Sequence, residues 1–177
     1  MSIKKIFICI FLIIITLNLT NCSIIQSSKS TKSVKEKIIP KHTLDKIIKE
    51  NIEPICIPTS FGGKSFCTYK IIDLEKKGNA IRIYVWLLCE EFYVKNNKLT
   101  MGTGAEFPSI IIIAKENNNY KFINCSISRI PSEEDSLEIF PKSIRKKAIQ
   151  ESRLNDTLLK EPLKDAKIYF KSVKKLD

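Results

Sequence analysis

Histidine is nearly missing from this chain. His42 is the single imidazole in 177 residues, and it falls in a polar, basic stretch that reads as a tether. A Ser–His or Cys–His nucleophile pair inside the folded part is therefore excluded, and histidine metal sites go with it. Glycine is scarce too: five glycines and seven prolines rule out collagen-like and linker-dominated chains. Gly62-Gly63-Lys64-Ser65 imitates the tail of a phosphate-binding loop. Pro58 stands where that motif needs its first glycine, and a strand rather than a helix is expected to follow. The six cysteines contain no C-x-x-C spacing, which argues against zinc binding and against redox catalysis of that type. A membrane-spanning run is also lacking. Ile6–Leu17, almost wholly apolar, would reach about 18 Å as a helix, against about 30 Å of bilayer hydrocarbon.

That short run has a different meaning in its setting. Lys4 and Lys5 precede it, and the polar residues Asn18, Thr20 and Asn21 come after it, just before Cys22. This is the order of a secretory signal. Leu19-Thr20-Asn21-Cys22 resembles the lipobox of bacterial lipoproteins, with Asn21 where Gly, Ala or Ser is usual. The resemblance implies cleavage before Cys22 and attachment of a diacylglyceryl group to its sulfur. Residues 1–21 are then a signal peptide, and membrane lipid is a partner through acylation at Cys22. The expected address is the cell membrane or outer envelope, on the extracytoplasmic side.

Residues 22–42 read as a flexible tether, polar and basic without helical or strand period. About twenty such residues hold a domain roughly 25 Å from its anchor. Hydrophobic residues at 44% and charged residues at 28% are ordinary globular values, so residues 43–177 form one folded domain. The net charge of +11 accompanies heavy use of Ile, Lys and Asn, the mark of an AT-rich genome. It therefore reflects lysine usage as much as a polyanion site, and no nucleic-acid partner is expected.

In the domain, Leu44, Ile47 and Ile48 share one face of a short helix that Thr43 can cap and Pro54 ends. Ser65–Glu75 and Asn79–Val94 read as strands around a turn in which Gly78 can take positive φ. Ile81–Tyr93 is apolar on both faces, as a central strand should be. "KNNKLTMGTG" turns the chain again, and two more strands come next, Glu106–Lys115 and Tyr120–Ile130. Ser132 caps a helical turn, Pro141 starts a second helix, and Leu159, Leu163, Ala166, Phe170 and Val173 form a helical stripe after a break near Asn155. The fold class is α+β: an antiparallel four-stranded β-meander packed against N- and C-terminal helices, with one sheet face partly open.

Tyr84–Ile113 contains Trp86, Glu91-Phe92-Tyr93, Lys98-Leu99, Gly102-Thr103-Gly104 and Pro108. In these residues it resembles a family of uncharacterised bacterial extracytoplasmic domains. The resemblance implies the architecture and supplies no activity. Trp86, Glu91, Tyr93 and Glu106 are the candidate ligand-binding residues, aromatic and acidic groups near the junction of the second and third strands. Cys56 and Cys67 are the candidate disulfide, stapling the 58–66 loop; Cys89 and Cys125 are too far apart to join if a strand lies between them. No catalytic residue, metal set or cofactor is read. The expected function is non-catalytic binding of an envelope protein or ligand. The alternatives are an envelope hydrolase using carboxylates such as Glu91 and Glu106, and a secreted toxin or inhibitor without an anchor.

Overall fold

Asparagine and glycine set the path of the chain through the sheet. The computed structural model describes residues 39–117, 119–130, 132–151 and 156–173. The leader, Cys22, the tether up to residue 38 and the break near Asn155 lie outside the described residues. The sheet and its helices belong to the unit His42–Asp177.

Four antiparallel strands, β1 (Lys64–Lys77), β2 (Ala80–Lys95), β3 (Lys98–Glu116) and β4 (Asn119–Ile127), lie in the order β1-β2-β3-β4. This is the expected meander. Gly78, at φ 60°, opens the first turn as expected. The second is tighter than the sequence suggested: Asn96 and Asn97, at φ 52° and 58°, form the whole connection. Two left-handed residues make the turn that matches strand twist, and asparagine adopts that conformation more readily than most residues. Strand β3 consequently begins at Lys98, eight residues earlier than Glu106. Gly102 and Thr103 sit within it, at a register shift opposite Glu91.

Strand β2 is buried at Ile81 and from Ile83 to Cys89, so both of its faces are covered, as its composition required. Helices α1 (Lys41–Asn51) and α2 (Glu53–Cys56) cover the face carrying Cys67, Tyr69 and Cys89. Tyr69 donates to Asp45 Oδ1 at 2.7 Å, and the Cys67 N–H donates to Glu53 Oε1 at 3.0 Å. Leu44, Ile47 and Ile48 form the buried stripe of α1. His42 belongs to this helix rather than to a tether. Pro54 does not end the structure but opens α2, in the first-turn position where its missing N–H costs nothing.

The opposite face, expected to be partly open, is covered as well. A turn α3 (Glu133–Ser136) capped by Ser132, a 3-10 turn (Leu137–Ile139) and helix α4 (Lys142–Gln150) bring Leu137, Phe140, Ile144 and Ala148 onto Ile72, Tyr84 and Trp86. Helices α5 (Asp156–Leu159) and α6 (Glu161–Ser172) complete the chain, and Ala166 and Phe170 pack on Phe66 and Phe92. The C-terminal stripe is only half core, since Leu159, Leu163 and Val173 are 37–43% exposed. A turn at Lys160 and the start of α6 at Glu161, with Pro162 in its first turn, split it between two helices. Among the described residues no helix is long and apolar enough to cross a membrane.

Candidate functional site

Glu91 is a fully buried carboxylate. Its Oε1 accepts from the backbone N–H groups of Phe61 and Gly63 at 3.0 and 2.9 Å. Its Oε2 lies 3.1 Å from Thr103 Oγ1, whose single proton is shared with the Pro58 carbonyl at 2.7 Å, and 3.4 Å from the Thr103 N–H. Burial alone would push the carboxyl pKa up. The donors from Gly63, Phe61 and Thr103 outweigh it and hold the pKa below the usual glutamate value. Two glycines make room for this arrangement. A Cβ on Gly102 would stand 2.7 Å from Glu91 Oε2, and one on Gly63 would run into the Phe92 carbonyl. Glu91 is thus a clasp between the 58–63 loop, β2 and β3, with no oxygen left for a ligand.

The other sequence-derived site residues do not converge either. Trp86 is in the core against the α4 side of the sheet. Tyr93 is half-buried and stacks on the exposed ring of Phe61, with centroids 5.1 Å apart and planes within 8°. Glu106 lies opposite Leu88 in register, which places it on the sheet face opposite Glu91. Glu91 and Glu106 therefore do not form the facing carboxylate pair that a glycosidase-like hydrolase needs. Asp73 and Glu75 are engaged with Lys147 Nζ at 2.9 Å and the Tyr84 hydroxyl at 2.7 Å. The aromatic residues of β1 and β2 are split between the two faces: Tyr69 is on the α1 side, while Tyr84 and Trp86 are buried on the other.

The disulfide differs from expectation. Cys67 bonds to Cys89, directly opposite it on β2, and Cys56 is a free, buried thiol. Sequence spacing could not show that the β1–β2 register aligns these two sulfurs. Cys125, on β4 and two strands from Cys89, is also free, consistent with the strand order. Burial, the neighbouring Cys125 and Glu53 push the Cys56 pKa up to about 12, against the opposing charge of Arg129. Arg129 donates to the carbonyls of Ile55 and Cys56, both at 3.1 Å, and so closes the end of α2.

What the structure does gather is a groove of about 460 Å³ on the α4 side, between β2–β4 and the segment at residues 138–141. Its floor is apolar, made by Ile110, Ile112 and Phe140, while Arg82, Ser126 and Glu138 supply polar groups. Tyr84 closes one wall, its ring set edge-on to Phe140 at 5.7 Å. The groove is open to solvent, and its lining mixes apolar and polar groups. No family model, curated protein or solved structure matches this chain. The groove was not legible in the sequence. Alternation puts Ile111 and Ile113 in the core and leaves Ile110 and Ile112 half-buried at the groove, but an unbroken run of four isoleucines carries no period to say so.

Proposed function

We propose that this chain is an extracytoplasmic lipoprotein, acylated at Cys22, whose domain belongs with the extracytoplasmic domains that Tyr84–Ile113 resembles. The domain binds an envelope ligand or protein without transforming it. The groove at Arg82, Ile110, Ile112 and Ser126 carries the binding reading, because it joins an apolar floor to a few polar groups in one concave surface. Support for a non-catalytic role comes from Glu91, whose oxygens are committed to backbone and Thr103 donors. The Cys67–Cys89 disulfide suits an oxidising, exported setting.

The test is a pull-down from detergent-solubilised envelopes with the anchored wild-type protein and with Ile112→Lys, which puts a charge on the groove floor. A specific partner or ligand should be retained by wild type and lost, by about tenfold or more in recovery, from the variant. That loss corresponds to about 1.4 kcal/mol. Unchanged circular dichroism would establish that the variant is folded. Equal recovery by both proteins would overturn the groove as the binding site.

A further inference from the structure

The sulfur atoms of Cys56, Cys67 and Cys89 lie within 4.8 Å of one another. Two are joined and the third is a thiol, which is the composition of a thiol–disulfide exchange reaction before it proceeds. Two further observations belong to the same place. Glu53, three residues before Cys56 in α2, is 6% exposed, and its Oε2 has no hydrogen-bond partner among the described residues. Its Oε1 holds the Cys67 N–H at 3.0 Å, so the carboxyl group stands beside the disulfide. A buried carboxylate with an unused oxygen is costly, and hydrophobic packing alone would be served better by an apolar side chain.

We propose that Cys56, Cys67 and Cys89 form an internal thiol–disulfide exchange site that moves the free thiol from the buried Cys56 to the half-buried Cys67. The Cys56 thiolate attacks Sγ of Cys89. The Cys67–Cys89 bond breaks, a Cys56–Cys89 bond forms, and Cys67 leaves as the thiolate. The proton passes from Cys56 to the Glu53 carboxylate and then to Cys67. One thiol and one disulfide stand on each side, so no external oxidant or reductant enters.

The surroundings of the two candidate leaving sulfurs set the direction of the exchange. Cys89 is fully buried, whereas Cys67 is half-buried and has the Ser65 hydroxyl 3.9 Å from its sulfur. Water and a hydroxyl donor stabilise a departing thiolate at Cys67, and the more stable leaving thiolate departs faster. The buried nucleophile makes the step slow, because attack requires the thiolate and burial disfavours it. Exchange on the scale of minutes to hours is the expected range. The half-buried Cys67 thiol is the better placed of the two to meet a disulfide on a second molecule.

The full chain, purified without reductant, tests this. It is held at mildly alkaline pH with excess iodoacetamide, quenched in acid and mapped by non-reducing peptide analysis. The expected result is a carboxamidomethyl group on Cys67 accumulating together with a Cys56–Cys89 cross-link. Cys56→Ser and, independently, Cys56→Ala should abolish labelling of Cys67. Glu53→Gln should slow it by roughly tenfold or more, as loss of a proton acceptor does. Labelling of Cys125 at the wild-type rate checks that the fold is retained. An intact Cys67–Cys89 bond throughout overturns the proposal, as does a Cys56–Cys67 cross-link with Cys89 labelled, or Cys67 labelling that persists without Cys56.

Discussion

At the scale of single residues, Glu91 shows how a buried charge is retained. Three backbone N–H groups that would otherwise lie unpaired beside the sheet converge on its two oxygens, joined by a Thr103 hydroxyl shared with the Pro58 carbonyl. Glu91→Gln keeps the size of the side chain but replaces one acceptor oxygen with an NH₂ group. That group then faces the Thr103 N–H or the two loop N–H groups, donor against donor. The expected loss is about 2–4 kcal/mol, since hydrogen bonds to a charged group and buried unpaired donors are both involved. The pH dependence has a definite sign. The carboxyl pKa is lower in the folded state than in the unfolded chain, so the folded state binds fewer protons. The stability contributed by Glu91 is present above the unfolded value of about 4.3 and is lost as pH falls through the folded value. Denaturant unfolding at neutral and acidic pH should show wild type losing this increment in acid. Glu91→Gln should be weaker at neutral pH but less sensitive to the same acidification. An unchanged unfolding midpoint at neutral pH would remove the clasp from the account.

At the scale of elements, the β2–β3 hairpin and the loop before β1 form one unit. The loop reaches the sheet by passing Gly63 under the Phe92 carbonyl, and β3 takes its register shift at Gly102-Thr103 where Glu91 reaches across. Gly63→Ala should therefore destabilise the domain by at least about 2–3 kcal/mol, because the added methyl meets backbone that can move only by disturbing β2. Gly62, one residue earlier, has open space around its Cβ position. There alanine meets only the strain of a left-handed backbone, roughly 1–2 kcal/mol. Thermal unfolding of the two variants should rank them in that order, and the reverse ranking would contradict the close approach at Gly63.

The same hairpin shows which features the sequence discloses. The strand order was legible because short polar turns separate runs of Ile, Val and aromatic residues, and such turns leave antiparallel neighbours. The two-sided burial of β2 was legible from its unbroken apolar run. The position of the β2–β3 turn was not, because "KNNKLTMGTG" offers both asparagine and glycine as turn formers. Only the partner of Glu91 decides between them: the glycines are needed inside β3 for close approach, so Asn96 and Asn97 make the turn. The same limit explains the candidate site. Trp86 and Glu91 stood out as residue types, yet ring burial and carboxylate clasping use those same types, and register alone separates the two roles. Cys67 met Cys89 for the same reason, through a pairing set by the length of a turn.

At the scale of the whole molecule, the proposed export and membrane attachment rest on the resemblance of Leu19-Thr20-Asn21-Cys22 to a lipobox, and the cross-strand disulfide suits such a setting. No described helix has the length and apolarity to span a bilayer; in the proposed reading, lipid at Cys22 is what would hold the protein at a membrane. A single acyl chain binds a membrane only marginally, but the two chains of a diacylglyceryl group hold it stably, because each buried CH₂ contributes about 0.8 kcal/mol. Wild-type protein should therefore incorporate labelled fatty acid and remain in the membrane fraction after a high-salt wash, which strips proteins held only by lysine–headgroup attraction. Cys22→Ala should lose the label entirely and give either an uncleaved precursor or a released chain. The precursor can sediment through Ile6–Leu17, so fractionation is paired with mass measurement of the wild-type N-terminus. A mature chain beginning at a modified Cys22 is the expected species. An unmodified Cys22, or a chain starting elsewhere, would contradict the anchor, leaving the disulfide-bonded domain as a secreted protein whose groove meets its partner in solution.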